Sequence, residues 1–137
     1  MDCIFCRIVA GEIPAQTIYK DDKTVAFLDV NPSTLGHTLV IPKAHWADIQ
    51  SLPSDLAEFL FGTVSKVAKM LEKAFSTKHF TIGFNNGRLS GQEVDHIHVH
   101  LLPRFEGDGG RSFQSLVNNP PQEDLAKIRK KILEANG

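Results

Sequence analysis

Long apolar runs, an excess of one charge, and cysteine are all scarce in this 137-residue chain. No stretch approaches the ~20 apolar residues of a membrane span, and the N-terminus carries no signal-peptide pattern. A cytoplasmic protein with no membrane partner is therefore expected. The formal net charge of -1 offers no bulk attraction to nucleic acid or to an anionic membrane, although a local pocket for a small anion needs no basic protein. Only Cys3 and Cys6 are cysteines, and a disulfide between them would close a tiny loop and staple nothing. Metal binding or redox chemistry is the better use of such a pair. There are no repeats, low-complexity tracts or linker-like segments. Residues 1–137 read as one domain, with a core over about 1–105 and a C-terminal extension over about 106–137.

What the chain does have is histidine in strict alternation: His96-Ile97-His98-Val99-His100, followed by Leu101-Leu102-Pro103. Alternation is the period of a β-strand, which puts the three imidazoles on one face and Ile97, Val99 and Leu101 in a core on the other. Each ring must be solvated, hydrogen-bonded or ligated, so the value of such a row lies in chemistry.

Other segments read more conventionally. Residues 3–10 form a short helix closed by Gly11, anchored by Ile4, Phe5 and Ile8. Strands are expected at 17–19, 24–28, 38–41 and over Phe80, Ile82 and Phe84. The clearest helix spans about 54–75, with Ser54 as N-cap and an apolar face running from Leu56 and Phe59 to Leu71 and Phe75. A terminal helix at about 122–135 has Leu125, Ile128, Ile132 and Leu133 as its inner face. The class is α+β, an antiparallel sheet of about five strands with one long helix across it and a C-terminal helix.

Strand geometry limits what the histidines do together. Residues 96 and 100 lie roughly 13 Å apart on an extended strand. With zinc–nitrogen bonds of about 2.0–2.1 Å, one ion cannot take both unless the strand bulges. A neighbouring pair such as His96 and His98 could share a metal. Otherwise the labour divides, with a central imidazole attacking an electrophile and a flanking one serving oxygens. Phosphorus suits this, because water can discharge a phosphoimidazole intermediate. The attacking Nε2 must be unprotonated, which needs Nδ1–H held by an acceptor such as a backbone carbonyl.

His96 to Leu102 resembles the signature of the histidine-triad (HIT) family of nucleotide hydrolases and transferases. Cys3-Ile-Phe-Cys6, Ala26-Phe-Leu-Asp29, Gly36 to His45, Asn85-Asn-Gly87 and Gly91-Gln-Glu-Val94 resemble further family blocks, in family order. The resemblance implies a HIT-like fold and a hydrolase acting on the α-phosphate of a purine nucleotide, its substituent being a phosphoramidate, an adenylylated amine or a second nucleotide through phosphoanhydrides. It implies His98 as the nucleophile that becomes nucleotidylated, and His100 as the hydrogen-bond partner of phosphate oxygens. Asp29 would hold ribose hydroxyls, and Ile4, Phe5, Ile8, Phe27, Leu28 and Val30 would form the base slot. Asn85 and Gln92 would contact the phosphate and leaving group.

By the same resemblance the cysteine pair belongs to zinc-bearing members, with His45 and His96 completing a closed structural site; no organic cofactor is implied. The other reading of the pair is two small buried thiols. A homodimer whose sheets join is also implied. His37 and His79 read as structural or exposed, and Lys43, Arg88 and Arg104 as solvated. Two departures stand out. His100 separates the chain from the uridylyltransferase branch, which favours hydrolysis. Glu93 stands where Ser or Thr is common near the α-phosphate, and a carboxylate there repels phosphate unless it turns away, pairs with a cation or is protonated. The alternative reading is a nucleotide-binding or interaction protein with vestigial catalysis.

Overall fold

A computed structural model describes residues 2–137. Its elements run α1 (Ile4–Val9), β1 (Thr17–Lys20), β2 (Thr24–Leu28), β3 (Thr38–Pro42), α2 (Ser54–Phe75), β4 (Phe80–Gly83), β5 (Val99–Pro103) and α3 (Leu125–Asn136). The five strands form one sheet ordered β1-β2-β3-β5-β4, with every neighbouring pair antiparallel.

Both faces of the sheet are covered, which is why β2 and β3 are apolar almost throughout rather than alternating. On one face Ala26, Val40, Ile97, Val99 and Leu101 pack against Leu60, Val64, Val67 and Leu71 of α2. On the other, Val25, Phe27, Leu39 and Ile41 pack with Cys3 and Phe5 at the N-terminus. A buried hydroxyl pair, Thr24 to Thr63 at 2.9 Å, ties α2 to β2 without leaving either group unsatisfied. Gly36 is required by the helix end. Its φ is +82°, and a Cβ there would sit 2.6 Å from the Phe75 ring.

Four expectations change. Ser54 is the first helical residue rather than the cap; Pro53 takes the cap position and makes no side-chain bond. The strand that carries the histidines begins only at Val99, because the chain bends through Asp95-His96 and Ile97 gives its N–H to the Trp46 carbonyl at 2.8 Å instead of to a strand. The terminal helix starts at Leu125, where the Asp124 carboxylate accepts the Lys127 N–H at 2.9 Å. Its apolar stripe is no inner face: Leu125 is 81% and Ile132 57% exposed, and no residue of α3 is buried. Arg104 is engaged rather than free in solvent. It bridges Asp108 at 2.8 Å, Thr81 Oγ1 at 3.0 Å and the Arg111 carbonyl at 2.8 Å, which folds the 104–111 loop onto β4.

Candidate active site and metal centre

Register decides where the functional rings lie. Leu39 pairs with His100 and Phe27 with Leu39, so His100 shares the α1 face of the sheet with the second core. His98 and His96 follow on the same side. The edge of the buried Phe5 ring meets His98 at a centroid distance of 5.0 Å and His96 at 5.9 Å. Phe5 thus divides the three histidines into two environments.

Backbone groups set which nitrogen of each ring is free. His98 Nδ1 lies 2.7 Å from the His96 carbonyl oxygen, which can only accept, so Nδ1 carries the proton and Nε2 keeps its lone pair. His96 Nε2 lies 2.8 Å from the Pro42 carbonyl, so it donates there and Nδ1 holds the lone pair. Burial, above all, pushes His96 down to about 4, which keeps the ring neutral at physiological pH.

A further ring belongs to this constellation, although in sequence it reads only as structural or exposed: His37. Its Nδ1 accepts the Ser33 N–H at 3.0 Å, so its proton sits on Nε2, 2.9 Å from His100 Nδ1 and 3.4 Å from an Asp29 carboxylate oxygen. His37 therefore donates to His100 Nδ1. A neutral His100 must then carry its own proton on Nε2. Desolvation lowers both rings, His100 to about 4, with the neighbouring His98 and His37 adding to the effect there. The only sequence signal for His37 was its position just before β3; its partner 63 residues away emerges from strand register.

Asp29, His37 and His100 bring ligand-type atoms within 4.8 Å of one another. This is a hydrogen-bonded relay rather than a metal site. The Ser33 N–H occupies the Nδ1 lone pair, which leaves Nε2 protonated and unable to ligate.

The second group is different. Cys3 Sγ, Cys6 Sγ, His45 Nδ1 and His96 Nδ1 also lie within 4.8 Å of one another. Cys3 to His96 is 3.5 Å, Cys6 to His45 3.3 Å and Cys6 to His96 3.6 Å. Tetrahedral zinc, with bonds of about 2.3 Å to sulfur and about 2.0–2.1 Å to nitrogen, requires edges of about 3.4–3.8 Å. The residues fit that ion. The Pro42 carbonyl on His96 Nε2 supplies the outer hydrogen bond that such a ligand needs. Burial and the adjacent Cys3 push the Cys6 thiol up, so a cation is what would hold the pair as thiolates. A metal shared by His96 and His98 is not supported, because the two rings use their nitrogens in different directions.

A cavity of about 290 Å³ lies beside His98 and His100. Ile4, Phe5, Ile8, Phe27, Leu28, Val30 and Asp29 all line it, together with Leu39 and Glu93. Phe5 and Phe27 are buried, and Val30 is a rim residue at 87% exposure. One Asp29 oxygen caps the following turn by accepting the Asn31 N–H at 2.8 Å. Asn85 lies in a neighbouring cavity of about 250 Å³ that shares His100 and also holds His37 and Phe113. Gln92 lines neither cavity. Its oxygen accepts the Gly87 N–H at 2.7 Å, and its nitrogen donates to the Ala47 and Val94 carbonyls at 2.7 and 2.9 Å. A buried amide must satisfy its own polar atoms, and here it does so by bracing the 87–94 loop rather than by meeting a phosphate.

Comparison with known proteins follows the same lines. The family model described as HIT domain matches residues 10–107. An uncharacterised HIT-like protein of Methanocaldococcus jannaschii is 49% identical over 108 residues, covering 78% of this chain and 82% of that protein. An adenosine 5'-monophosphoramidase of Saccharomyces cerevisiae is 38% identical over 135 residues, covering 96% and 80%. The crystal structure of a zinc-bound histidine triad family protein from Mycobacterium smegmatis superposes with a TM-score of 0.76 at 33% identity, covering all of this chain and 99% of that one.

Proposed function

This chain belongs to the HIT family, and from that premise we propose that it hydrolyses the substituent from the α-phosphate of a purine nucleotide through a nucleotidyl-histidine intermediate. The observation that carries the reading is the 2.7 Å bond from His98 Nδ1 to the His96 carbonyl, which leaves a nucleophilic Nε2 at the wall of a cavity with an apolar slot and a carboxylate.

The base lies against Phe5, Ile8 and Phe27, and the Asp29 carboxylate accepts from the ribose hydroxyls. His98 Nε2 attacks phosphorus, the bond to the substituent breaks, and the substituent leaves with its bonding pair and a solvent proton. The ring becomes cationic as the phosphorus–nitrogen bond forms, and its Nδ1–H already points at a carbonyl oxygen that stabilises that charge. His100 gives its Nε2–H to a phosphoryl oxygen, with His37 holding the tautomer from behind. Water then attacks phosphorus, releasing nucleoside monophosphate and restoring His98. The name of the yeast relative, a monophosphoramidase, supports an amine as the substituent.

Cys3, Cys6, His45 and His96 would hold zinc. When bound, the ion would supply a structural tie between α1 and the segment that carries the nucleophile just ahead of β5, with no open position for chemistry. Two copies would form a homodimer whose sheets join. Among the described residues no helix is long and apolar enough to cross a membrane, and a cysteine pair kept reduced for a metal suits a cytoplasmic setting.

The test is incubation with adenosine 5'-phosphoramidate. AMP release, a mass increment of one nucleotidyl group on His98, and loss of both in His98→Ala with folding intact are expected. The second reading, a nucleotide-binding protein with vestigial catalysis, is favoured by one observation, the Glu93 carboxylate at the cavity wall. Tight nucleotide binding without release of AMP would select it.

A further inference from the structure

The charges around the phosphate position run opposite to those of an ordinary nucleotide pocket. Among the described residues lining the cavity beside His98 and His100, none is Lys or Arg, while Asp29 and Glu93 are both carboxylates. The neighbouring cavity that shares His100 also lacks Lys and Arg. Glu93 is solvent-exposed and has no ion-pair partner among the described residues. Glu93 also lines a second cavity with Arg88 and Arg7, both exposed and each in an ion pair elsewhere, Arg88 with Asp95 at 2.9 Å and Arg7 with Glu12 at 3.3 Å. Arg104 is held by Asp108 at 2.8 Å, and with Arg111 it lines a third cavity that adjoins the one sharing His100 through Phe113 and Leu116. Gln92, clamped to three backbone groups, keeps the segment bearing Glu93 against the cavity.

We propose that Glu93 makes this a site for nucleotides whose α-phosphate substituent is a cationic amine, and sets it against polyphosphate substituents. The proposal rests on the nucleotide-hydrolase reading and narrows its substrate class. A single α-phosphate charge is served by the N–H of His100. A chain of further phosphates would bring several anions past the Asp29 and Glu93 carboxylates, in a cavity whose own lining holds no Lys or Arg. An ammonium on the substituent reverses that balance. One unit-charge contact at roughly 6 Å and an effective dielectric of about 40 supplies about tenfold in selectivity. The preference should weaken as salt screens an exposed carboxylate.

The experiment uses three adenosine phosphoramidates of matched length, made from pentylamine, 1,5-diaminopentane and 5-aminopentanoate, together with diadenosine tetraphosphate. With the wild-type chain, kcat/KM is expected to fall in the order cationic, neutral, anionic tail, about tenfold per step, with the tetraphosphate lowest. Glu93→Gln should compress the order and Glu93→Lys should invert it. Equal rates across the tails, an order unchanged in Glu93→Gln, or tetraphosphate cleaved as well as the cationic substrate would overturn the proposal. Binding constants of the same ligands to His98→Ala form a second readout. If the wild type turns over none of them, the hydrolase reading fails, while the charge preference still stands or falls on those constants.

Discussion

Replacing His37 with Asn removes one proton donor from the site and little else. The Asn oxygen occupies the place of Nδ1 and can still accept the Ser33 N–H, which the native ring does at 3.0 Å. What goes is the Nε2–H, 2.9 Å from His100 Nδ1. His100 then loses the group that dictates its tautomer, and its Nε2 can present a lone pair to a phosphoryl oxygen instead of a proton. A hydrogen bond to a charged group is worth about 1.5–3 kcal/mol, so kcat/KM on adenosine 5'-phosphoramidate should fall about ten- to a hundredfold. His37→Gln carries its amide N–H farther out, close to the native Nε2–H, and should recover part of the loss while disturbing the Ser33 contact. Steady-state kinetics on both variants, with 15N shifts of the His100 ring reporting its tautomer, complete the assay. A His37→Asn enzyme within twofold of wild type, or one whose His100 still carries its proton on Nε2, would refute the relay.

Other consequences are equally direct. Zinc analysis should find one ion per chain, lost in Cys6→Ala and retained in His98→Ala; retention in Cys6→Ala would remove the four-ligand assignment. His100, ordinarily 6.5, is pushed down to about 4 by burial, so above pH 6.5 both folded and unfolded chains leave it neutral. Between 6.5 and 4 the unfolded chain takes up a proton that the folded one refuses, and stability falls as the pH drops. The slope is at most about 1.4 kcal/mol per pH unit and is reduced by the partial exposure of the ring. His100→Asn should flatten the melting temperature against pH over that window, and an unchanged slope would count against it. Gly36→Ala adds a Cβ at positive φ against the Phe75 ring, and urea unfolding should show a loss of about 2–4 kcal/mol. A loss below about 0.5 kcal/mol would show that the helix end can give way.

Local periodicity was the readable part of this chain. The α2 boundaries match the expected 54–75, because a long amphipathic face outweighs any local ambiguity. Strand β2 matches 24–28, and Ile97, Val99 and Leu101 fill the core as alternation requires. Boundaries failed where a tertiary bond replaced a local one. The histidine segment enters its ladder only at Val99, because Ile97 bonds to Trp46 across 51 residues of sequence. The α3 stripe was legible as a helix face, but among the described residues none buries it.

The site divides in the same way. Residue types and spacing alone determined that three histidines share a face, that 96 and 100 cannot ligate one ion on a regular strand, and that a nucleophilic ring needs its Nδ1–H held. Which groups do the holding was decided only by folding. The His96 carbonyl serves His98, the Pro42 carbonyl serves His96, and Ser33 acts through His37 on His100. Gln92 was diverted to backbone groups because buried polar atoms must find partners, and those partners come from loops distant in sequence; exposed Glu93, under no such demand, lines the cavity. Side-chain type and period are local quantities. The protonation of each ring is a long-range one, settled by whichever backbone donor or acceptor the fold brings within about 3 Å.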